Sequence, residues 1–506
     1  MKFYEIDNAL QEAVTAAEKP VRIKIEIYLG GHFQSIFEQD IIEANFYSLK
    51  EAAGGVSSRG EILIDNSCGF FSTCGGFGSG LQVKVSFSIG EGLPYFQRFV
   101  FFIDEKGIQD IKGSGRKKLV KLDLRDLSTR LKKTDEARDW TSPAVFTYSV
   151  VCDKTQSEKS LVHGIAKRAG LEVSDIDCST IPVTLPFVRL RRNIWAELSS
   201  IAMAYRCHLE TAPEKPLVFA HSPYQDEPLS DNDFSYTFYG NEIFYLRKIE
   251  RAELYRNTVR LKVNMPVSLE KQEIWRYDDP PVFYNDNLKA FYPFRNSLER
   301  DIETGNYEAK YKVIDANGKE RNVVFADEID DWLEADERLD FESGGFYYST
   351  YDVNTNYDKA LLKLNRENEG DLYKAVIHGR PIVLDLNRSC FLRDEDGIAA
   401  FGTAALNVTG SYFSDDMVTD KLSVTMQGKP QYEDWVIREL AERIQNKREF
   451  TIKTHKAIFN SRVGAKVKIS MNKEELNGTI NALSYRYKRD RAFVASFKIT
   501  ENREEK

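Results

Sequence analysis

Several places in the sequence gather residue types that can do chemistry. The run CGGFGSG at 74–80 stacks glycines whose successive N–H groups can form an anion-binding nest. It lacks the G-x-x-x-x-G-K-[ST] spacing of a phosphate loop, and no helical pattern follows it. It therefore reads as a connection between strands. GSGRKK at 113–118 is a basic turn of the same kind and reads as a hairpin turn. Cys68 with Cys74, and Cys207 beside His208, come nearest to a zinc motif. A zinc site needs four convergent ligands, usually supplied as close pairs, and no second pair stands at suitable spacing. Between Asp327 and Asp340 lie eight carboxylates, enough to attract calcium, but without the glycine and the alternating ligand order of an EF-hand loop. That run reads as the solvated face of an acidic helix.

The six histidines, at 32, 163, 208, 221, 378 and 455, are scattered. His163 falls inside a helical repeat and reads as packed or exposed, not catalytic. No G-x-S-x-G elbow, H-E-x-x-H helix or Cys-His signature is present. Carboxylate pairs of the glycosidase kind depend on the fold for their separation, and with 78 acidic residues a chance pair is nearly certain. The Tyr, Asn and Asp richness of 266–430 suits a sugar-binding surface and an ordinary β-rich interface equally well. No catalytic, cofactor-binding or metal-ligating residue is assigned, no cofactor is expected, and the chain reads as a non-enzyme.

Composition narrows the classes further. A chain of 506 residues exceeds what one growing core supports, so two to four domains are expected. Hydrophobic residues are 42% and charged residues 29%, a soluble globular profile. The 25 Tyr and 31 Phe favour β-structure and large packed interfaces. A net charge of −8 and a pI near 5.6 give no global attraction to nucleic acid, and no direct sequence-specific nucleic-acid binding is expected. The opening MKFYEIDNALQEAVTAAEKP has no apolar h-region and reads as a polar helix or tail. No run is long and apolar enough for a membrane span. Cys152, Cys178 and Cys207 sit in apolar contexts and read as buried free thiols, consistent with folding in a reducing cytoplasm.

The elements that would position these residues follow from periodicity. VRIKIEIYL puts Val21, Ile23, Ile25, Ile27 and Leu29 on one face and Arg22, Lys24, Glu26 and Tyr28 on the other, a strand. Gly30-Gly31 turns it. EILIDN, LQVKVSFSI, YFQRFVFFID and KKLVKLDL are further strands, so 1–144 reads as an antiparallel barrel or sandwich domain. LRDLSTRL is a short helix candidate with Asp123 or Asp126 at its start. From 145 to 235 the pattern is α/β. Leu161, Ile165 and Ala166 share a helical face that ends at Gly170; Ile194, Leu198, Ile201, Ala202 and Tyr205 form a second stripe, capped by Asn193. The polar stretch 222–236 is a linker. In 266–430, read as an inserted β-rich domain, KYKVIDANGKERNVVF suggests a hairpin with a two-residue Asn317-Gly318 turn. From 431 an amphipathic helix through Trp435, Ile437, Leu440, Ala441 and Ile444 precedes four strands, with turns at Gly464 and Asn477-Gly478, again a small barrel.

In order and spacing these segments resemble the baseplate hub, or late-control-type tail protein, of contractile phages and related injection systems. The resemblance is carried by LRDLSTRL, SLVHGIAKRAGLEV, NIWAELSSIAMAYRCHL with the strand PLVFAH, then RNTVRLKVN and FTIKTH…VGAKVKIS…LNGTINALSYRY. It implies a predominantly antiparallel α+β fold: two tube-like β-barrels, 1–144 and 236–265 plus 431–506, with the α/β module of 145–235 between them and 266–430 inserted. It further implies a homotrimer whose barrels form a ring adapting a six-fold tail tube to a three-fold central spike. The implied partners are a tail tube or distal tail protein, the spike, a tape measure protein and neighbouring baseplate proteins, and the implied location is the virion tail, assembled in the host cytoplasm. The rival reading is a tail-associated cell-wall hydrolase or receptor-binding component with its working surface in 266–430.

Overall fold

The computed structural model describes residues 8–15, 20–51, 54–67, 69, 78–112, 118–134, 145–221, 236–250, 255–277, 298–300, 307–314, 318–335, 347–349, 359–363, 372–385, 388–415, 430–444, 448–471, 474–489 and 493–501. Among them the chain is α+β and predominantly antiparallel β.

Strand alternation builds the first sheet as expected. In β1 (Val21–Leu29) the side chains of Ile23, Ile25, Ile27 and Leu29 are buried. Gly30 and Gly31, with φ of 59° and 89°, turn it into β2 (His32–Ile36), positive values that the two-residue hairpin turn matching strand twist requires. β3 (Ile41–Lys50), β4 (Gly55–Asp65), β5 (Gln82–Ile89), β6 (Phe96–Lys112) and β7 (Lys118–Arg125) complete an antiparallel order β2-β1-β5-β6-β7-β4-β3. The opening helix α1 (Asn8–Thr15) buries Leu10 and Ala13 against this core. The short α2 (Leu127–Lys133) follows, with Asp126 at its N-cap position.

Next come β8 (Val145–Cys152), α3 (Leu161–Arg168), β9 (Ile176–Cys178), β10 (Ile181–Arg189), α4 (Ile194–Ala204), β11 (Cys207–Glu210) and β12 (Leu217–His221). Both helical stripes are buried as their spacing requires, Gly170 has the positive φ of a helix stop (78°), and Asn193 caps α4 by accepting from the Ala196 N–H at 2.9 Å. β11 runs parallel to the first residues of β4, so this module joins the first sheet at the start of that inner strand. The interdomain stretch 222–235 lies outside the described residues.

β13 (Tyr236–Tyr239) and β14 (Ile243–Glu250) belong to the main sheet. β15 (Thr258–Val263) does not. β16 (Met265–Ser268), β17 (Gln272–Tyr277), β18 (Leu298–Arg300), β19 (Tyr307–Lys310), β20 (Lys312–Ile314), β21 (Glu320–Ala335), β22 (Tyr347–Ser349), β23 (Lys359–Lys363) and β24 (Leu372–Asp385) follow. Of these, β16, β17, β20, β21 and β24 make one five-stranded sheet and β18, β19, β22 and β23 a four-stranded one. β25 (Ser389–Arg393), α5 (Glu395–Phe401) and β26 (Ala405–Gly410) return the chain to β15, which β25 and β26 flank. The helix α6 (Gln431–Arg443) packs on β15 and β25, and β27 (Arg448–Thr454), β28 (Lys466–Met471), β29 (Glu474–Lys488) and β30 (Val494–Glu501) close the chain.

Some local expectations are overturned. The acidic run from Asp327 is not a helix: through Ala335 it is the second half of β21, paired antiparallel with β24, while 336–340 lie outside the described residues. Alternating Val323 and Phe325 start a strand that the long partner β24 then extends past two register shifts, so tertiary pairing overrides the helical propensity of the acidic residues. The hairpin of β20 and β21 exists, with Ile314↔Glu320 its last described pair; Asn317 of the expected two-residue turn lies outside the described residues. Asn477 and Gly478 lie inside β29, not in a turn; a β-carbon on Gly478 would come 2.4 Å from Ile499 Cγ2, so close strand packing demands glycine there. In α6 the buried face is Tyr432, Trp435 and Val436, with Ile437, Leu440, Ala441 and Ile444 only half-buried.

The main sheet has sixteen strands and runs from β14 through β27, β30 and β29 to β3 and on to β2. Its two halves share one core. Phe87 stacks on Phe459 (5.8 Å between ring centroids) and meets Tyr485 and Phe493 edge-on, while Phe46 stacks on Phe99 and Phe101. A second core gathers α3, α4, β15 and α6, with Phe413 edge-on to Trp435 at 5.4 Å.

Candidate assembly surface

The longest path through the main sheet ends in two strands, β14 on β27 and β2 on β1; among the described residues β13 on β28 and β9 on β12 also have a single strand partner. An edge strand presents a row of backbone groups ready to pair with another chain. The apolar run IFYL makes β14 look like core, yet Phe244, Tyr245 and Leu246 are 52%, 40% and 40% exposed. The register against β27 shifts between Ile243 and Tyr245, so Phe244 sits at a bulge of this apolar edge. Phe244 lies flat on His455, with centroids 4.3 Å apart, and Lys453 Nζ stands 4.8 Å from the Tyr245 ring. Arg247 and Lys248 follow on the same strand, both exposed. At the opposite end Tyr28 meets Phe33 edge-on at 5.1 Å, Lys84 Nζ sits 3.9 Å from the Phe33 ring, and Phe37 is 70% exposed just beyond β2.

The seam β3–β29 holds these two ends in one body, pairing from Leu49↔Ala482 to Glu43↔Lys488. Arg486 Nε donates to Glu43 at 2.9 Å, but that pair is exposed and such pairs contribute about 0–1 kcal/mol. Each fully buried ring beneath the seam contributes about 1.5–3 kcal/mol, so the shared aromatic core decides the rigidity. Arg98, buried among those rings, donates from Nη2 to the Ser461 carbonyl at 3.0 Å and lies 4.3 Å from the Phe99 centroid. The Tyr485 hydroxyl donates to the Ile458 carbonyl at 2.8 Å, and burial pushes its acidity down, raising its pKa.

Buried polar contacts lock the α/β module onto the sheet. Arg462 Nε donates to Glu210 Oε1 at 2.7 Å, and His208 Nε2 lies 3.1 Å from Glu210 Oε2. Burial, and then the Arg462 charge, hold His208 well below the usual histidine range, so it is neutral. Asp126 accepts from the Ser58 N–H, the Ser128 hydroxyl and, at 3.1 Å, the Thr211 hydroxyl; burial pushes it up to about 6. Trp195 Nε1 donates to Glu51 Oε2 at 2.9 Å. Inside the module the buried Glu197 accepts from the Arg191 and Arg192 N–H groups at 2.9 and 2.8 Å, and from outside it accepts from the Tyr412 hydroxyl of the 266–430 segment, whose pKa burial raises. The inserted sheet touches the module through Phe187 and Phe325, 5.9 Å apart. Arg380 adds a contact 5.2 Å from the Tyr148 ring.

The residues singled out for chemistry are distributed as follows. Most of CGGFGSG, most of GSGRKK, and Cys68 and Cys74 lie outside the described residues. Cys207 is a buried free thiol whose pKa burial raises, beside the neutral His208. Asp327 is held by Arg380 in a two-pronged pair (2.9 and 2.7 Å), with Glu328 3.2 Å from the same guanidinium, so these carboxylates face a cation of the chain itself. Cys152 and Cys178 are not free thiols: they are joined as a disulfide. Twenty-six positions apart in sequence, they meet because Cys152 at the end of β8 pairs opposite Ile181 at the start of β10, three residues after Cys178, a juxtaposition no local spacing announces. His163 is buried next to them, its Nδ1 2.7 Å from Ser160 Oγ and its Nε2 4.0 Å from Cys178 Sγ.

No family model matches the chain, and no curated protein matches it by sequence. Among solved structures it is similar to a tail protein from Neisseria meningitidis MC58, with 10% identity, 96% of this chain and 97% of that chain covered, and a TM-score of 0.48. It is similar to a prophage MuSo2 tail protein from Shewanella oneidensis (8% identity, 95% and 98% covered, TM-score 0.46) and to prophage tail protein gp18 from Listeria monocytogenes EGD-e (9% identity, 96% and 95% covered, TM-score 0.42). Likenesses at these identities and TM-scores carry no residue role onto this chain.

Proposed function

We propose that the chain is a structural, non-enzymatic hub of a phage-tail-like injection machine, located in the tail or baseplate. In this reading three copies associate into a ring that adapts a six-fold tube to a three-fold spike. The ring-building part draws on β1–β7 of residues 1–144 and on β13, β14 and β27–β30 of residues 236–265 and 431–506; residues 145–235 form the buttressing module and 266–430 a peripheral insertion.

The observation that supports this best is the exposed apolar strand β14 at one end of a rigid sixteen-stranded sheet whose other end, β2, is also a strand edge. An edge that meets a different edge on the next copy makes a heterologous contact, and such contacts generate rings when the rotation closes. Phe244 and Leu246 would then lie under a neighbour. The order of segments that carries the hub resemblance supports the same reading from the sequence side. The test is the oligomeric state of the purified chain and its response to a charge at Phe244: assembly lost with the fold retained supports the proposal, and assembly unaffected by Phe244→Asp contradicts the role of this edge.

A further inference from the structure

Cys152 Sγ, His163 Nε2 and Cys178 Sγ converge from β8, α3 and β9, all within 4.8 Å of one another and all buried. We propose that in the reduced chain these three side chains form a zinc site, with the disulfide as the alternative, metal-free state of the same sulfurs. The composition is that of zinc ligand sets, in which thiolate sulfur and imidazole nitrogen bind the same ion. Bond lengths of about 2.3 Å to sulfur and about 2.1 Å to nitrogen place ligand atoms roughly 3.5 Å apart around a tetrahedral ion. Cys178 Sγ and His163 Nε2 are 4.0 Å apart, about half an ångström wider than that spacing, while the two sulfurs, bonded in the disulfide, part on reduction to reach it.

The histidine is already oriented for ligation. Ser160 Oγ lies 2.7 Å from Nδ1, on the ring nitrogen away from the sulfurs. With the Nδ1 proton donated to that hydroxyl, the Nε2 lone pair faces the cysteines. An outer partner on the second nitrogen is how ligating histidines are generally held.

Passage from the disulfide to two thiols takes two electrons and two protons from a thiol reductant by thiol–disulfide exchange, and the reverse passes two electrons to a disulfide oxidant. Two thiols and the zinc ion give two zinc–sulfur bonds and two released protons; the disulfide, lacking thiolates, binds none. A chain folding where thiols stay reduced meets the ion before it meets an oxidant. Three protein ligands, one short of a closed structural set, leave the fourth position open, the arrangement of zinc sites that keep an exchangeable ligand. The consequence is structural: zinc ties β8, α3 and β9 together in one state, and the disulfide ties β8 to β9 in the other.

The test uses the full chain, reduced, desalted anaerobically and titrated with Co2+ as a spectroscopic stand-in for zinc. The expected result is saturation at one ion per chain, with a thiolate-to-cobalt charge-transfer band and intense tetrahedral visible bands that zinc bleaches. Zinc content after anaerobic purification should fall from one per chain to background in Cys178→Ser and in His163→Ala, and stay unchanged in Cys207→Ser. Circular dichroism checks that the variants fold; where one does not, the wild-type titration alone decides. Reduced wild-type chain whose thiols react with a thiol reagent but which takes up no cobalt or zinc would overturn the proposal. So would a cobalt spectrum that survives Cys178→Ser. Either result leaves the hub reading untouched, because that rests on the sheet edges.

Discussion

Arg462, in the connection between β27 and β28, closes its guanidinium on the buried carboxylate of Glu210 at the end of β11, Nε to Oε1 at 2.7 Å. The two residues belong to different parts of the chain, and their contact fastens the α/β module to the half of the sheet that ends in β14. Removing one partner of a buried ion pair leaves the other charge uncompensated and costs about 3–5 kcal/mol. Glu210→Ala is therefore expected to lower the unfolding free energy, read from urea denaturation, by that amount; a loss under about 1 kcal/mol, the range of exposed pairs, would show that the contact does not fasten the module.

Asp126 supplies a pH signature. Its folded pKa is about 6, above the ordinary 3.8, because burial penalises the carboxylate. The folded state thus holds this proton more tightly than the unfolded chain. The group costs nothing below the unfolded pKa; stability falls as pH rises from about 4 to about 6, and above the folded pKa the loss is complete, about 3 kcal/mol at 1.36 kcal/mol per unit. Asp126→Asn should remove this descent, so the stability difference between variant and wild type should grow in the variant's favour from pH 4 to pH 7. A difference that stays flat across that range would contradict the burial of an ionising Asp126.

Gly55 marks where β4 meets α4. A β-carbon there would lie 2.6 Å from Trp195 Cζ2 and 3.0 Å from Ser199 Oγ, and Trp195 is buried and tied by its indole N–H to Glu51. Gly55→Ala is expected to cost about 1–3 kcal/mol by overpacking, read by thermal unfolding. Gly30→Ala, with open space around it, is strained only by its positive φ and should cost less.

Where periodicity and burial agree, the fold is legible in the sequence: the alternation of β1, the stripe of α4 and its Asn193 cap all stand where local chemistry puts them. It fails where partners are distant. The carboxylates of Asp327–Ala335 hide a strand because β24, over forty positions away, supplies the pairing. Asn477-Gly478 has turn chemistry, but Ile499 of β30 needs the missing side chain. The candidate surface was the least legible part. IFYL in β14 has the composition of a core strand, and only the sheet order and the exposure of Phe244, Tyr245 and Leu246 show that it stands at an edge. The meeting of Cys152 with Cys178 is likewise a product of topology.

The central claim is association through the sheet edges, and mass photometry of the purified chain tests it most directly. The expected result is a species at three times the 58.1 kDa chain mass, alone or once tube and spike partners are added, collapsing to a single-chain mass in Phe244→Asp with the circular dichroism unchanged. A chain that stays monomeric at every concentration and with both partners present would contradict the account.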